Sequence, residues 1–127
     1  RTMLEEAIDS AMKCYSLPTT HWTLGGFSQG AMLSVETALM GQLSPPTRLI
    51  LWSGALLAEK RWLSHSERLK GTAVFQSHGV DDDVLPIQTG RWLGQFLQQV
   101  AGSYHMLEFK GPHTITMPAI QAACDYE

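Results

Sequence analysis

Gly26-Phe27-Ser28-Gln29-Gly30 is the stretch that decides how this chain is read. Before it, Trp22, Leu24 and Phe27 predict a strand from His21 to Phe27. After it, Gln29 to Met40 is rich in Ala, Met and Leu and is closed by Gly41, which predicts a helix. The five residues fit G-x-S-x-G in its proper context, a strand before and a helix after. A serine on so sharp a turn has a strained backbone, and the residues two before and two after it are expected to be small. Gly26 and Gly30 meet that requirement. The turn should present the hydroxyl at the C-terminal edge of a sheet. The helix beginning at Gln29 would aim its N-terminus at the same spot, where negative charge can develop.

The flanks of this stretch supply an alternating pattern. Thr2-Met3-Leu4-Glu5 is a capping-box sequence, and Leu4, Ile8, Ala11 and Met12 follow at helical spacing, so a helix is expected over 3–15, stopped by Pro18. Pro45-Pro46 marks a turn. Arg48 to Trp52 is a short apolar run of the kind found in strands buried on both faces. Ser53 to Lys70 reads as a polar connection with a short helix at Glu59 to Leu63. Thr72 to Ser77 is the next strand. Pro86 then suits a first helical turn, and Ile87, Leu93, Phe96, Leu97 and Val100 lie on the helix that follows. Tyr104 to Phe109 is a further strand, and Pro118 to Tyr126 a last helix. The alternation predicts an α/β domain with a mostly parallel sheet and helices on both faces. One domain over 1–127 is expected, with no linker or repeat to divide it.

Composition narrows the function classes. The net charge of -3, without a cluster of Lys or Arg, argues against nucleic acid as a partner. No apolar stretch reaches the ~20 residues a membrane span needs. The acidic start, Arg1-Thr2-Met3-Leu4-Glu5-Glu6, is unlike a signal peptide. Cys14 and Cys124 have neither metal-ligand nor disulfide-framework spacing. They read as free thiols in a reducing compartment, hence a cytoplasmic location and no metal.

A serine hydroxyl is a weak nucleophile until a base takes its proton, and the base needs an acid to orient it. Both are on offer in the order serine, acid, histidine. The strand ending near Ser77 leads into His78-Gly79-Val80-Asp81-Asp82-Asp83-Val84-Leu85-Pro86. The strand ending at Phe109 leads into Lys110-Gly111-Pro112-His113. Both loops follow strand C-termini, where open α/β sheets bind ligands. Asp81, Asp82 and Asp83 are all candidates for the acid.

Four blocks together resemble the phospholipase/carboxylesterase family, which includes the acyl-protein thioesterases. They are Gly25-Gly26-Phe27-Ser28-Gln29-Gly30-Ala31, Leu51-Trp52-Ser53-Gly54-Ala55-Leu56, His78-Gly79 with Asp82, Val84 and Pro86, and Gly111-Pro112-His113. The resemblance implies an α/β-hydrolase fold and a serine hydrolase cleaving carboxylic esters or thioesters through an acyl-enzyme, without a cofactor. It implies Ser28 as nucleophile, Asp82 as acid, His113 as base and the Gln29 N–H as oxyanion donor. It implies small-molecule, lipid or acylated-protein esters as substrates. The family also has earlier strands, and an early His-Gly loop that gives a second oxyanion donor; nothing in this chain corresponds to them. The expectation is therefore a domain whose N-terminal strands are missing. Losing one oxyanion donor costs ~10²- to 10³-fold in rate. Two alternatives follow: a catalytically impaired remnant or binding module, or a homo-oligomer formed through the exposed edge of the sheet.

Trp62, with Leu56 on the connection, is the best candidate for a substrate pocket, set against core packing. His78 reads as structural, beside the acid loop. His21 and His105 fall on predicted strands, and His65 on the polar connection. Ala31, Met32 and Leu33 are most simply core.

Overall fold

The computed structural model describes residues 21–125. The helix expected over 3–15, with Cys14, lies outside them. The order is β1 (Thr23–Phe27), α1 (Gln29–Met40), β2 (Arg48–Trp52), α2 (Glu59–Leu63), a 3-10 turn (Ser66–Leu69), β3 (Ala73–Gly79), α3 (Ile87–Val100), β4 (Ser103–Phe109) and α4 (Met117–Asp125). The strands form one sheet in the order β1-β2-β3-β4. Every pairing is parallel, as the alternation with helices predicts.

Register explains which residues share a face. Leu24, Leu49, Val74 and Tyr104 form one row across the sheet, and Gly26, Leu51, Gln76 and Met106 a second row on the same side. On that side, Leu24, Leu49, Leu51 and Val74 join Ala31, Val35 and Leu39 of α1, Trp62 of α2, and Leu93, Phe96 and Leu97 of α3 in one core. Each fully buried Leu or Val there contributes ~1.5–3 kcal/mol. Arg48 and Phe75 point to the other side. There the Arg48 guanidinium donates to the carbonyl of Ala123 in α4. α1, α2 and α3 thus cover one face, and α4 packs on the other.

α3 approaches the sheet closely because two glycines, Gly90 and Gly94, lie one turn apart on it. A Cβ at Gly94 would overlap the Tyr104 hydroxyl, and one at Gly90 the His78 ring. In the space so made, Tyr104 Oη donates to Gln76 Oε1 (2.6 Å), and Gln76 Nε2 donates to the Gly90 carbonyl (2.8 Å). A buried polar row is thereby satisfied, as burial demands. Burial pushes the Tyr104 phenol well above its usual range, and the negative charge of Glu108 adds to this.

Several boundaries depart from those read in the sequence: β3 begins one residue later than expected, at Ala73, and β4 and α4 one residue earlier, at Ser103 and Met117. Three further differences have non-local reasons. β1 begins at Thr23, opposite the first residue of β2, rather than at His21. β3 continues to Gly79, because His78 and Gly79 pair with Glu108 and Phe109 of β4. The connection before β3 carries the extra turn at Ser66–Leu69, where Leu69 is buried in the core. Gly41 does close α1, but in an extended conformation (φ -75°) that any residue can adopt.

Candidate active site

Ser28 stands between β1 and α1 with φ 59° and ψ -116°, outside the regions a side chain favours. Such a residue costs on the order of 1–3 kcal/mol and is held by its surroundings. Its N–H donates to the Trp52 carbonyl of β2 (2.9 Å), and its carbonyl accepts from Ala31 and Met32 in the first turn of α1. Serine at a helix start commonly caps the helix with its side chain. Ser28 makes no such bond, so the hydroxyl is free for another partner.

The crowding behind this turn is one-sided. A Cβ at Gly26 would overlap the backbone of Gly30 and approach the Ala31 nitrogen at 2.8 Å. A Cβ at Gly30 meets nothing within 4 Å among the described residues. The expectation that both glycines are required by space is therefore corrected: Gly26 is, and Gly30 supplies backbone that Gly26 must clear.

The partner of the Ser28 hydroxyl is His113, whose Nε2 lies 3.0 Å from Oγ. The other ring nitrogen, Nδ1, lies 2.6 Å from Asp82 Oδ2. Facing a carboxylate, Nδ1 is the donor, which leaves Nε2 as acceptor for the hydroxyl. The ring also leans on Phe27, centroids 4.8 Å apart. Three residues separated by up to 85 positions form one hydrogen-bonded line.

Asp82 is buried, whereas Asp81 and Asp83 are exposed. Its second oxygen, Oδ1, accepts the N–H groups of Val84 (2.9 Å) and Leu85 (2.7 Å). Burial by itself raises its pKa, but the bonds from the Leu85 N–H, His113 and the Val84 N–H together outweigh that, and the carboxyl is held below its usual range. An ionised carboxylate on an imidazole N–H is the arrangement that fixes a tautomer and stabilises imidazolium.

The two loops that carry the acid and the histidine are joined by their backbones. Val80 N–H donates to Phe109 O (2.8 Å), and Asp81 N–H to Gly111 O (3.0 Å). Ser53, just after β2, also has a positive φ of 56°, and its hydroxyl lies 3.5 Å from the carbonyl of Thr114, next to His113.

Gln29 is the first residue of α1, so its N–H belongs to the turn whose donors have no acceptor within the helix. Gln29 also borders an open, mostly apolar groove of about 360 Å³ with Met32, Leu33, Glu36, Leu57 and Arg61. Ala31 is core as expected, but Leu33 is 38% exposed and Met32 half-buried. The helical turn that buries Ala31 and Val35 rotates Leu33 outward. The sequence signal for this was the position of Leu33 on the helix, which composition alone does not resolve.

The two pocket candidates separate. Trp62 is fully buried, packs on Phe96 (6.1 Å) and donates its indole N–H to Glu36 (2.8 Å). It offers no surface to a substrate; a large ring on a short helix seals the core. Leu56 lines a different groove, with Trp92 and Phe96 of α3. His21 and His65 are exposed at the surface, and His105 stacks on Phe75. Among the described residues, no group of three His, Cys, Asp or Glu is placed to hold a metal ion. No helix among them is long and apolar enough to cross a membrane.

Comparison with known proteins identifies the family and matches the fold. A family model described as Phospholipase/Carboxylesterase matches residues 1–126. Acyl-protein thioesterase 1 of Eremothecium gossypii is 44% identical over 75 residues, which cover 55% of this chain and 29% of that protein. The crystal structure of esterase PE8 superposes with a TM-score of 0.79 at 25% identity, over 95% of this chain and 56% of that one. The structure of YahD with malic acid superposes with a TM-score of 0.82 at 20% identity, over 96% and 57%. The chain thus spans less than a third of the thioesterase and little more than half of the two solved structures.

Proposed function

The chain belongs to the phospholipase/carboxylesterase family, a group of α/β-hydrolases, and on that premise we propose that it hydrolyses carboxylic esters or thioesters through an acyl-enzyme on Ser28. The observation that carries the reading is the unbroken line from Ser28 Oγ through His113 to Asp82, at 3.0 and 2.6 Å. As Ser28 attacks the acyl carbonyl, its proton passes to His113 Nε2. The Asp82 carboxylate holds the imidazole and stabilises its cationic form. Negative charge on the carbonyl oxygen is met by the Gln29 N–H at the start of α1. The protonated histidine then gives its proton to the departing alkoxide or thiolate. Water repeats the cycle on the acyl-enzyme, and Ser28 is restored.

The groove beside Gln29 gives apolar surface next to the serine for part of the substrate. The likeness to an acyl-protein thioesterase favours acylated proteins as substrates, and membership of a phospholipase/carboxylesterase family favours lipids and small esters alongside them.

The test is intact-mass spectrometry after treatment with a fluorophosphonate, on the wild type and on Ser28→Ala. One adduct on the wild type and none on the variant is the expected result. Equal labelling of the two proteins, or no adduct on folded wild type, would overturn the assignment.

A further inference from the structure

His78 has no part in the proton transfers just described, yet it is fully buried directly beneath the acid. It is the second-last residue of β3, paired in register with Glu108 of β4. The Glu108 carboxylate is held by two Arg91 side-chain nitrogens, Nε and Nη2, at 2.9 Å each. The His78 ring points instead toward the acid loop. Its Nε2 lies 2.6 Å from the Leu85 carbonyl oxygen and 3.4 Å from Asp82 Oδ2. Facing a carbonyl, Nε2 is the donor. Nδ1 has no hydrogen-bond partner among the described residues and packs against Gly90, where any side chain would overlap it.

Leu85 is therefore gripped from both ends of its residue. Its N–H donates to Asp82 Oδ1 at 2.7 Å, and its carbonyl accepts from His78 at 2.6 Å. The first bond fixes the rotation of the Asp82 carboxylate, since the oxygen it leaves over, Oδ2, is the one that meets His113. The second bond fixes the segment that makes the first. A buried histidine kept only for packing has no need of a short bond to this carbonyl, and an apolar side chain of similar size would fill the space without leaving Nδ1 unpartnered.

We propose that His78 is a positioning residue, acting through the Leu85 peptide and Asp82 to hold the carboxylate on His113. The inference rests on the serine-hydrolase reading above. The glycine at position 90 belongs to the same device, because only a residue without a Cβ leaves room for the ring.

The experiment uses the full-length protein with p-nitrophenyl butyrate, with active sites counted by fluorophosphonate titration. His78→Leu should lower kcat per titrated site ~10²-fold, the scale expected when a catalytic group is misplaced by about 1 Å, with KM changed less than twofold. His78→Gln, whose amide N–H reaches toward Leu85, should recover most of that loss. In an Asp82→Asn background, His78→Leu should cause no further loss, because its effect runs through the carboxylate. Should His78→Leu not fold, His78→Asn, too short to reach Leu85, carries the same expectations. An unchanged kcat, or an equal loss with and without Asp82, would overturn the role of His78. Full activity in Ser28→Ala would instead overturn the reading on which it rests.

Discussion

Gly79 and Gly111 meet backbone to backbone: a Cβ on Gly79 would overlap the Gly111 carbonyl oxygen and that of Pro112. The end of β3 and the loop carrying His113 can therefore lie together only if position 79 lacks a side chain. Gly79→Ala is expected to push the two loops apart, costing ~1–3 kcal/mol as overpacking does. Activity should fall more than stability does, since the Asp82–His113 bond spans that seam. Denaturant melts beside kcat/KM measure both; a variant with wild-type activity would contradict the seam.

The elbow gives a paired prediction. Gly26→Ala forces its Cβ into the Gly30 backbone and should abolish fluorophosphonate labelling. Gly30→Ala meets open space on a helix and should retain labelling, with up to ~1 kcal/mol gained from helix propensity. Labelling rates and thermal melts of the two variants decide it. Equal loss in both would show that a constraint other than space acts at position 30.

Asp82 predicts the acid behaviour. Its pKa is lowered in the folded chain, so the stabilisation it gives is fully present above the unfolded carboxyl value near ~4. It is lost as pH falls through the lower folded value. Asp82→Asn should flatten that part of the stability curve, followed by denaturant melts between about pH 5 and 2. The same variant should lower kcat by about 10⁴-fold, as removal of such an acid does when the base is left in the wrong tautomer.

Tyr104 predicts the alkaline side. Its pKa is raised by burial in the folded chain, so the contribution is full below the unfolded value near ~10 and fades as pH rises beyond it. Tyr104→Phe removes the bond to Gln76 and should cost ~1 kcal/mol at neutral pH. It should also make stability less sensitive to pH above about 10. A melt series that slopes equally in both proteins would contradict this.

Local chemistry made much of the fold legible in advance. α1, β2 and α2 fall where the sequence places them, because Gly26 to Gly30, the run Arg48 to Trp52, and Glu59 to Leu63 each carry their own periodicity or turn signal. The three loops of the site were also legible, since each follows a strand and bears a chemically distinctive residue.

What the sequence determined by itself was the alternation of strand and helix, the parallel sheet it requires, and the presence of serine, acid and histidine in that order. These follow from short-range spacing. The tertiary structure alone decided which of three adjacent aspartates is turned inward, that Trp62 closes the core while Leu33 opens to a groove, and that His78 grips the acid loop. Each of those depends on what the folded chain packs beside it: Asp82 is chosen by His113 and the Leu85 N–H, Trp62 by Phe96 and Glu36, and His78 by the space above Gly90. Such partners are tens of residues away in most cases, and side-chain type carries no record of them until the chain has folded.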